Sequence, residues 1–301
     1  MGTVPALYAE LLGDHAGRPA RNASKGAVVA LHGLSSGGVT WRPSLGPLGA
    51  NDEASIWLPD LLGHGRSPYP TDACYDVDDH LAALTAWAGA TLPQTAPLTL
   101  VGCSFGAVLA AEWARRLPAQ RVNAVILTCL PLFDTAAEAR ASFATSDLLT
   151  WLTVCQPRLA ETICRRTCGP HGIVTRGARF AAPRGWKSNH QTWRAFPEAM
   201  FLHSWESLSR SLQRCLIAHR VQPAVRELAY RGTRINFVHG DRDRLAPIAA
   251  VQALADEVGA PVVRIPDGTH ALQLTHTTII RRSVRNAFQN PASHSATAML
   301  T

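Results

Sequence analysis

Short runs of apolar residues alternate along the chain with longer stretches in which apolar residues recur every three or four positions. Runs of four or five apolar residues bounded by Gly, Pro or Asp are typical of strands buried on both faces of a sheet. Six occur, at residues 27–31, 56–59, 98–101, 124–127, 235–238 and 261–265. Helical patterns at 77–92, 105–117 and 248–258 lie between them. This alternation predicts an α/β fold with a doubly wound, mostly parallel sheet.

The alternation stops between residues 131 and 234, a segment too long to be a simple connection between two strands. It contains helical patterns at 135–144, 158–168 and 203–218 and a Gly/Pro-rich stretch at 169–197. We therefore predict a core domain made of residues 1–130 and 235–289, interrupted by a helical cap at 131–234, the cap segment. The Ala-, Ser- and Thr-rich tail at 290–301 is predicted to be disordered.

Charge follows the same division. The cap segment holds 15 of the 29 Lys and Arg residues but 7 of the 22 Asp and Glu residues, a net charge of +8 in a chain of +7. Its arginines are scattered rather than grouped with aromatic residues, so the pattern does not favour nucleic-acid binding. A solvated basic surface explains the excess. The alternative is that some arginines meet an anionic substrate or an acidic acyl-carrier protein.

The cysteine pattern and the N-terminal sequence narrow the class of protein. Seven cysteines without a C-x-x-C pair argue against a disulfide framework or a zinc site. Cys164 and Cys168 lie one helical turn apart, with no His or Asp completing a ligand set, so we predict neither a metal nor a cofactor.

The N-terminal sequence lacks the basic region and the long apolar region of a secretion signal, and Pro and Gly interrupt the uncharged stretch 81–111. We expect a cytoplasmic protein without a membrane span.

One strand-like run ends in Gly102-Cys103-Ser104-Phe105-Gly106 and passes directly into a helical pattern. This G-x-S-x-G sequence is typical of a nucleophile elbow, a sharp strand-to-helix turn that exposes the serine hydroxyl. The two glycines are needed because the chain folds closely past itself. The pentapeptide also occurs in ordinary loops, so its context decides its meaning.

The late part of the chain supplies the partners that a nucleophilic serine requires, a histidine base and an orienting carboxylate. Asp241 and Asp243 follow the predicted strand 235–238, and His270 follows the predicted strand 261–265. Active sites of open α/β sheets lie at the carboxyl ends of the strands. The order serine, aspartate, histidine therefore predicts a catalytic triad.

Four motifs in this order resemble those of the α/β-hydrolase superfamily. They are residues 31–34 (LHGL), residues 60–67 (DLLGHGRS), the elbow, and the two late loops. The resemblance covers nearly the whole chain and is to cap-bearing serine hydrolases, in a group with esterases, menaquinone-pathway lyases and pimeloyl methyl esterases. It implies a core sheet of eight mainly parallel strands, with a helical cap inserted after the sixth.

The same resemblance assigns roles to single residues. It implies that Ser104 is the nucleophile, His270 the base and Asp243 the orienting acid. Asp241 and Asp134 remain alternatives for the acid, and His239 and His276 remain alternatives for the base.

Further residues are expected around this triad. The backbone N–H groups of Leu34 and Phe105 are expected to form the oxyanion hole. His32, Trp41 and His64 are candidate pocket residues, with core packing or loop organisation as the alternative.

The predicted function is a cofactor-independent serine hydrolase that cleaves an ester or thioester through an acyl-enzyme. The expected partner is a small acyl substrate. Three alternatives stay open at this point: a lyase that uses the triad on an anionic substrate, a hydrolase of acyl-carrier-protein esters, and a receptor that retains the triad as a ligand pocket.

Overall fold

The sheet of this protein is described by a computed structural model over residues 6–13, 26–50, 55–175 and 199–289. Seven strands form it: β1 (Ala9–Leu12), β2 (Ala27–Leu31), β3 (Ser55–Pro59), β4 (Leu98–Cys103), β5 (Val122–Thr128), β6 (Arg234–Gly240) and β7 (Val262–Ile265). Their spatial order is β1-β3-β2-β4-β5-β6-β7, and only the β1–β3 pair is antiparallel. The predicted mostly parallel sheet is confirmed.

Eleven α-helices lie wholly within the part of the chain that the structure describes. They are α1 (Arg42–Ala50), α2 (Val77–Thr91), α3 (Phe105–Arg116), α4 (Ala136–Ser146), α5 (Leu148–Cys155), α6 (Pro157–Thr167), α7 (Trp205–Ser211), α8 (Gln222–Tyr230), α9 (Ile248–Val258), α10 (Leu272–Thr275) and α11 (Thr277–Gln289). A π-helical turn, Leu212–Ile217, continues α7. None of the described helices combines the length and apolar character that crossing a membrane requires.

Helices cover both faces of the sheet, because side chains alternate between the faces along each strand. Val29 and Leu31 of β2 belong to one buried cluster, with residues of α2, α3 and α8. Val28 and Ala30 belong to a second cluster, with residues of α1 and α11. All residues of β4 and β5 are buried, as expected for central strands of a two-sided core.

The long insertion follows β5 and begins with α4, α5 and α6. The resemblance implied eight strands with an insertion after the sixth, whereas the described residues contain seven strands and the insertion follows the fifth. Within the cap segment, α8 packs against α3 of the core. The division into core and cap at residues 131 and 234 remains a prediction. Residues 176–198 and the tail at 290–301 lie outside the described residues.

Strand order also fixes where a site can form. The chain runs from β2 outward to β3 on one side and then returns to place β4 on the other side of β2. The carboxyl ends of β2 and β4 therefore flank the point where the strand order reverses, which is the usual ligand-binding crevice of an open α/β sheet.

Candidate active site

The turn between β4 and α3 has the geometry of a nucleophile elbow. Ser104 adopts φ 54° and ψ −117°, a backbone conformation that side-chain-bearing residues rarely take. A Cβ atom on Gly102 would lie 2.2 Å from the Gly106 carbonyl oxygen, and one on Gly106 would lie 2.2 Å from the Leu31 carbonyl oxygen. Both positions therefore require glycine, and the chain folds past itself as the sequence predicted.

Three loops meet at this turn. The backbone N–H of Ser104 donates to the carbonyl of Thr128 at the end of β5, with an N–O distance of 3.0 Å. The preceding side chain, Cys103, is buried, and its sulfur lies 3.8 Å from the carbonyl oxygen of His270. The loop that carries His270 therefore passes directly beside the elbow.

Asp243 and His270 form a close pair. The Nδ1 atom of His270 lies 2.7 Å from Oδ2 of Asp243, whose side chain is fully buried. The other carboxylate oxygen, Oδ1, accepts the backbone N–H groups of Leu245 and Ala246, each at 3.0 Å. The loop thus fixes the carboxylate, and the carboxylate holds Nδ1 of the ring. A neutral ring in this arrangement keeps its proton on Nδ1 and its lone pair on Nε2.

The ionisation of this pair follows from its surroundings. Burial lowers the pKa of His270, but the hydrogen bond and negative charge of Asp243 outweigh burial, and the pKa ends above its ordinary value. Burial raises the pKa of Asp243, but the hydrogen bond to His270 and the backbone N–H of Ala246 bring it below its ordinary value. Asp243 is therefore charged at neutral pH, while His270 titrates above the usual histidine value of about 6.5.

The alternative carboxylates have other contacts. Oδ1 of Asp241 accepts a hydrogen bond from Nε of Arg264 at 3.0 Å, on the exposed side of the same loop. Asp134 is exposed near the start of the cap segment, where its carbonyl oxygen accepts from Arg220. Of these three aspartates, the structure brings Asp243 to His270.

The alternative histidines have other hydrogen-bond partners. His239 is fully buried; its Nε2 donates to the carbonyl of Ala246 at 2.6 Å and lies 3.6 Å from Oδ2 of Asp243, farther than Nδ1 of His270. His276 lies between α10 and α11, with Nε2 at 3.3 Å from Oδ1 of Asp267. Neither has the placement of His270 beside the elbow.

The two predicted oxyanion donors lie on segments that approach Ser104. Phe105 is the first residue of α3, and the first N–H groups of a helix have no partner within that helix. Leu34 follows Gly33, and a Cβ atom on Gly33 would lie 3.7 Å from the Cβ of Ser104. The loop after β2 therefore runs alongside the elbow, which is the arrangement that an oxyanion hole between these two segments needs.

The candidate pocket histidines are buried and bonded within their loops. Nδ1 of His32 donates to the carbonyl of Gly33 at 2.8 Å, and its Nε2 accepts the N–H of Leu61 at 2.9 Å. His32 therefore connects the loops after β2 and β3. His64 is fully buried, with Nδ1 at 3.0 Å from the carbonyl of Leu62 and its ring 6.1 Å from that of Phe105. Burial, reinforced by neighbouring histidines, lowers its pKa well below the ordinary value.

Trp41 is a core residue rather than a pocket residue. Its side chain has no exposed surface and belongs to the cluster of α1 and α11, on the face of the sheet opposite Phe105. The sequence could not separate these alternatives, because the face on which a loop tryptophan packs depends on contacts distant along the chain.

The sequence did not indicate the polar contacts beneath the elbow. The Cys103 sulfur lies 3.3 Å from Oε1 of Gln273, and the sulfur of Cys129 lies within 4.8 Å of ligand atoms of Asp243 and His270. Cys129, Asp243 and His270 are residue types that bind metals, but Asp243 and His270 are already hydrogen bonded to each other. A metal at this position would compete with that pair.

Comparison with known proteins agrees with this architecture. One curated protein, the lipase LipV of Mycobacterium tuberculosis, is 35% identical over 100 residues, covering 33% of this chain and 36% of that protein. The aligned part thus spans about a third of the lipase. The crystal structure of a bromoperoxidase from Bacillus anthracis superposes with a TM-score of 0.67 at 18% identity, covering 94% of this chain and 95% of that one.

A further solved structure, the esterase EaEST from Exiguobacterium antarcticum, has a TM-score of 0.67 at 15% identity and covers 96% of this chain and all of that one. At these identities the superpositions establish the fold. The model of the alpha/beta hydrolase family matches residues 28–281, which include the elbow and both late loops. The chain therefore belongs to the alpha/beta hydrolase family.

Proposed function

We propose that this protein is a cofactor-independent serine hydrolase that cleaves a carboxylic ester or thioester through an acyl-enzyme on Ser104. The observation that carries the proposal is the 2.7 Å contact between Asp243 and His270, on a loop that passes the elbow holding Ser104 in its strained conformation. The nucleophile follows β4, the orienting acid follows β6 and the base follows β7, all at the carboxyl edge of the parallel part of the sheet.

Acylation begins with attack of the Ser104 Oγ on the acyl carbon. Nε2 of His270 accepts the hydroxyl proton, while Asp243 holds Nδ1 and stabilises the imidazolium that forms. The imidazolium then donates this proton to the departing alcohol or thiol. The raised pKa of His270 keeps it basic enough to accept the proton and acidic enough to return it.

The N–H groups of Leu34 and Phe105 donate hydrogen bonds that stabilise the negative charge developing on the acyl oxygen. A water molecule activated by His270 then attacks the acyl-enzyme and regenerates the Ser104 hydroxyl. Each step uses only groups of this chain and water, and no step oxidises or reduces a group.

A neutral ester is the substrate class that we propose first. The lipase and esterase among the compared proteins favour an ester. Several described arginines of the cap segment already bond within the chain: Arg165 pairs with Glu161 and Glu206, and Arg210 donates to the carbonyls of Thr71 and Ala73. Arg176, Arg179, Arg184 and Arg194 lie outside the described residues. Nothing in the described part of the cap segment favours an anionic substrate over a neutral one.

The decisive experiment combines covalent labelling with turnover. Wild-type protein is expected to react with a fluorophosphonate probe and to hydrolyse p-nitrophenyl esters, whereas Ser104→Ala should lose labelling and at least about 10³-fold in kcat/KM. Ser283→Ala is the matched control, because its hydroxyl only donates to a carbonyl within α11. Mass spectrometry should place the label on Ser104.

Equal labelling and turnover in wild type and Ser104→Ala would disprove the proposal. A protein that labels at Ser104 but leaves neutral esters of every acyl length intact would instead favour the lyase or the carrier-protein esterase. Comparison of KM for anionic and neutral substrates between about 0.1 and 1 M salt separates those two from a neutral esterase, since screening weakens only charge-dependent binding.

A further inference from the structure

Two cysteines and a histidine converge in the cap segment, outside the Ser104 site. A ligand atom of each of Cys164, Cys168 and His203 lies within 4.8 Å of those of the other two. Cys164 and His203 are buried, and Cys168 is partly exposed. The cysteine spacing was visible in the sequence, but the third ligand comes from a segment beyond the long Gly/Pro-rich stretch, so the sequence did not reveal it.

Backbone hydrogen bonds fix the three residues relative to one another. The N–H of Cys168 donates to the carbonyl of Cys164 at 2.7 Å and closes the last turn of α6, which places both sulfurs on one side of the helix end. The N–H of Gly169 donates to the carbonyl of Phe201, also at 2.7 Å. The helix end and the segment that carries His203 are therefore held side by side without help from the three side chains.

A second contact indicates which ring nitrogen of His203 carries the hydrogen. The hydroxyl of Ser35 donates its one hydrogen to the carbonyl of Met200 at 3.1 Å. Its 3.2 Å contact with Nδ1 of His203 must then be one in which the ring N–H donates to Ser35. This tautomer leaves the lone pair of Nε2 available to a metal, and the ring is also hydrogen bonded to Cys168. Metal-binding histidines usually make such a hydrogen bond through the nitrogen that does not bind the metal.

We propose that Cys164, Cys168 and His203 form a binding site for Zn²⁺. Two thiolates and one imidazole are ligands that zinc prefers, and the partly exposed side of Cys168 leaves room for water in the fourth position. Zn–S bonds of about 2.3 Å in a tetrahedron place two sulfurs about 3.8 Å apart. Ligand atoms already within 4.8 Å need to close by at most about 1 Å for the sulfur pair and about 1.3 Å for a sulfur and the histidine nitrogen.

The bound ion would hold the end of α6 against the loop that follows β3. His203 pairs with His64 in an isolated antiparallel bridge, and the N–H of Gly65 donates to the carbonyl of Leu202 at 2.8 Å. A metal on Cys164, Cys168 and His203 would thus join the end of α6 to the loop after β3. Binding releases the two thiol protons and stabilises the folded state.

The test uses the whole chain, freed of metal under reducing conditions and titrated with Co²⁺ and then Zn²⁺. One equivalent of Co²⁺ should produce a thiolate-to-metal charge-transfer band that Zn²⁺ abolishes, and Zn²⁺ should raise the melting temperature. Cys168→Ser and His203→Asn are expected to weaken Zn²⁺ binding at least tenfold. Cys155→Ser, an exposed cysteine of the same segment, is the control and should bind as wild type does.

Circular dichroism identifies variants that have lost their fold, and Cys168→Ser, at the least buried ligand, is the variant that decides. Full Zn²⁺ affinity in a folded Cys168→Ser protein would overturn the proposal. So would Co²⁺ binding without the sulfur band, or a native Cys164–Cys168 disulfide whose reduction yields no metal uptake. These readouts are independent of whether Ser104 hydrolyses an ester.

Discussion

Both oxygens of the Asp243 carboxylate have defined partners: Oδ1 accepts two backbone N–H groups of its own loop, and Oδ2 contacts His270. Asp241, two residues earlier, has the same charge but pairs with Arg264 on the exposed side. The difference between the two positions is therefore one of orientation rather than of chemistry.

This difference predicts opposite outcomes for two isosteric substitutions. Asp243→Asn should reduce kcat by about 10³- to 10⁴-fold, because an amide neither stabilises the imidazolium nor selects the required tautomer. Asp241→Asn should retain activity within about twofold, since it removes only an exposed ion pair. The measurement is kcat with a p-nitrophenyl ester. A larger loss in Asp241→Asn would reassign the acid.

The pH profile provides a second test of the same pair. The base must be neutral, and Asp243 raises the pKa of His270, so kcat/KM should rise with pH through a midpoint above the ordinary value of about 6.5. The residual activity of Asp243→Asn should show this midpoint at lower pH. An acidic limb that does not move would exclude His270 as the titrating base.

At the scale of elements, the elbow depends on Gly102 in β4 and Gly106 in α3, where backbone segments approach each other closely.

The pattern of apolar runs predicted six of the seven described strands to within three residues at either end. It missed β1, a four-residue edge strand of partly buried residues that carries too little periodicity to detect. It also missed α5, which has no fully buried residue and contacts the core cluster through the partly buried Val154. Short or partly covered elements are set by tertiary contacts, which local pattern does not contain.

Because the backbone is so closely packed at the elbow, Gly106→Ala should destabilise the protein. The added Cβ would meet the carbonyl oxygens of Leu31 and His32 at 2.2 and 2.6 Å, and backbone atoms cannot move aside as a flexible side chain can. We expect a loss of about 1–3 kcal/mol in the free energy of unfolding. Gly89→Ala is the control, because this exposed position in α2 has room for a Cβ, and alanine favours a helix by up to about 1 kcal/mol. Denaturant titration should show changes of opposite sign.

At the scale of the whole molecule, four of the histidines that the structure describes are buried and have lowered pKa values: His32, His64, His80 and His239. Burial is the main cause in each case. For His80 it lowers the pKa to about 3. The unfolded chain takes up these protons near pH 6.5 whereas the folded protein does not, so the folded state loses stability as pH falls below that value. His270 has the opposite sign, because its raised pKa favours the folded state at low pH.

The free energy of unfolding should thus fall steeply between about pH 6.5 and 5.5, with each buried histidine contributing up to about 1.4 kcal/mol per pH unit. His80→Gln should reduce the slope by about that amount, because glutamine does not titrate and can still bond to Ser211. His171→Gln, at an exposed site, serves as the control. An unchanged slope in His80→Gln would show that His80 is not neutral in the folded protein.

The backbone conformation of Ser104 has an evolutionary consequence. Its φ and ψ belong to a region that glycine occupies freely and that costs other residues about 1–3 kcal/mol. Selection for thermal resistance alone would therefore replace Ser104 with glycine. A serine at this position is evidence that the hydroxyl itself is under selection. It also gives a criterion for family members that have lost their chemistry: they can become more stable at a residue that the active members must keep.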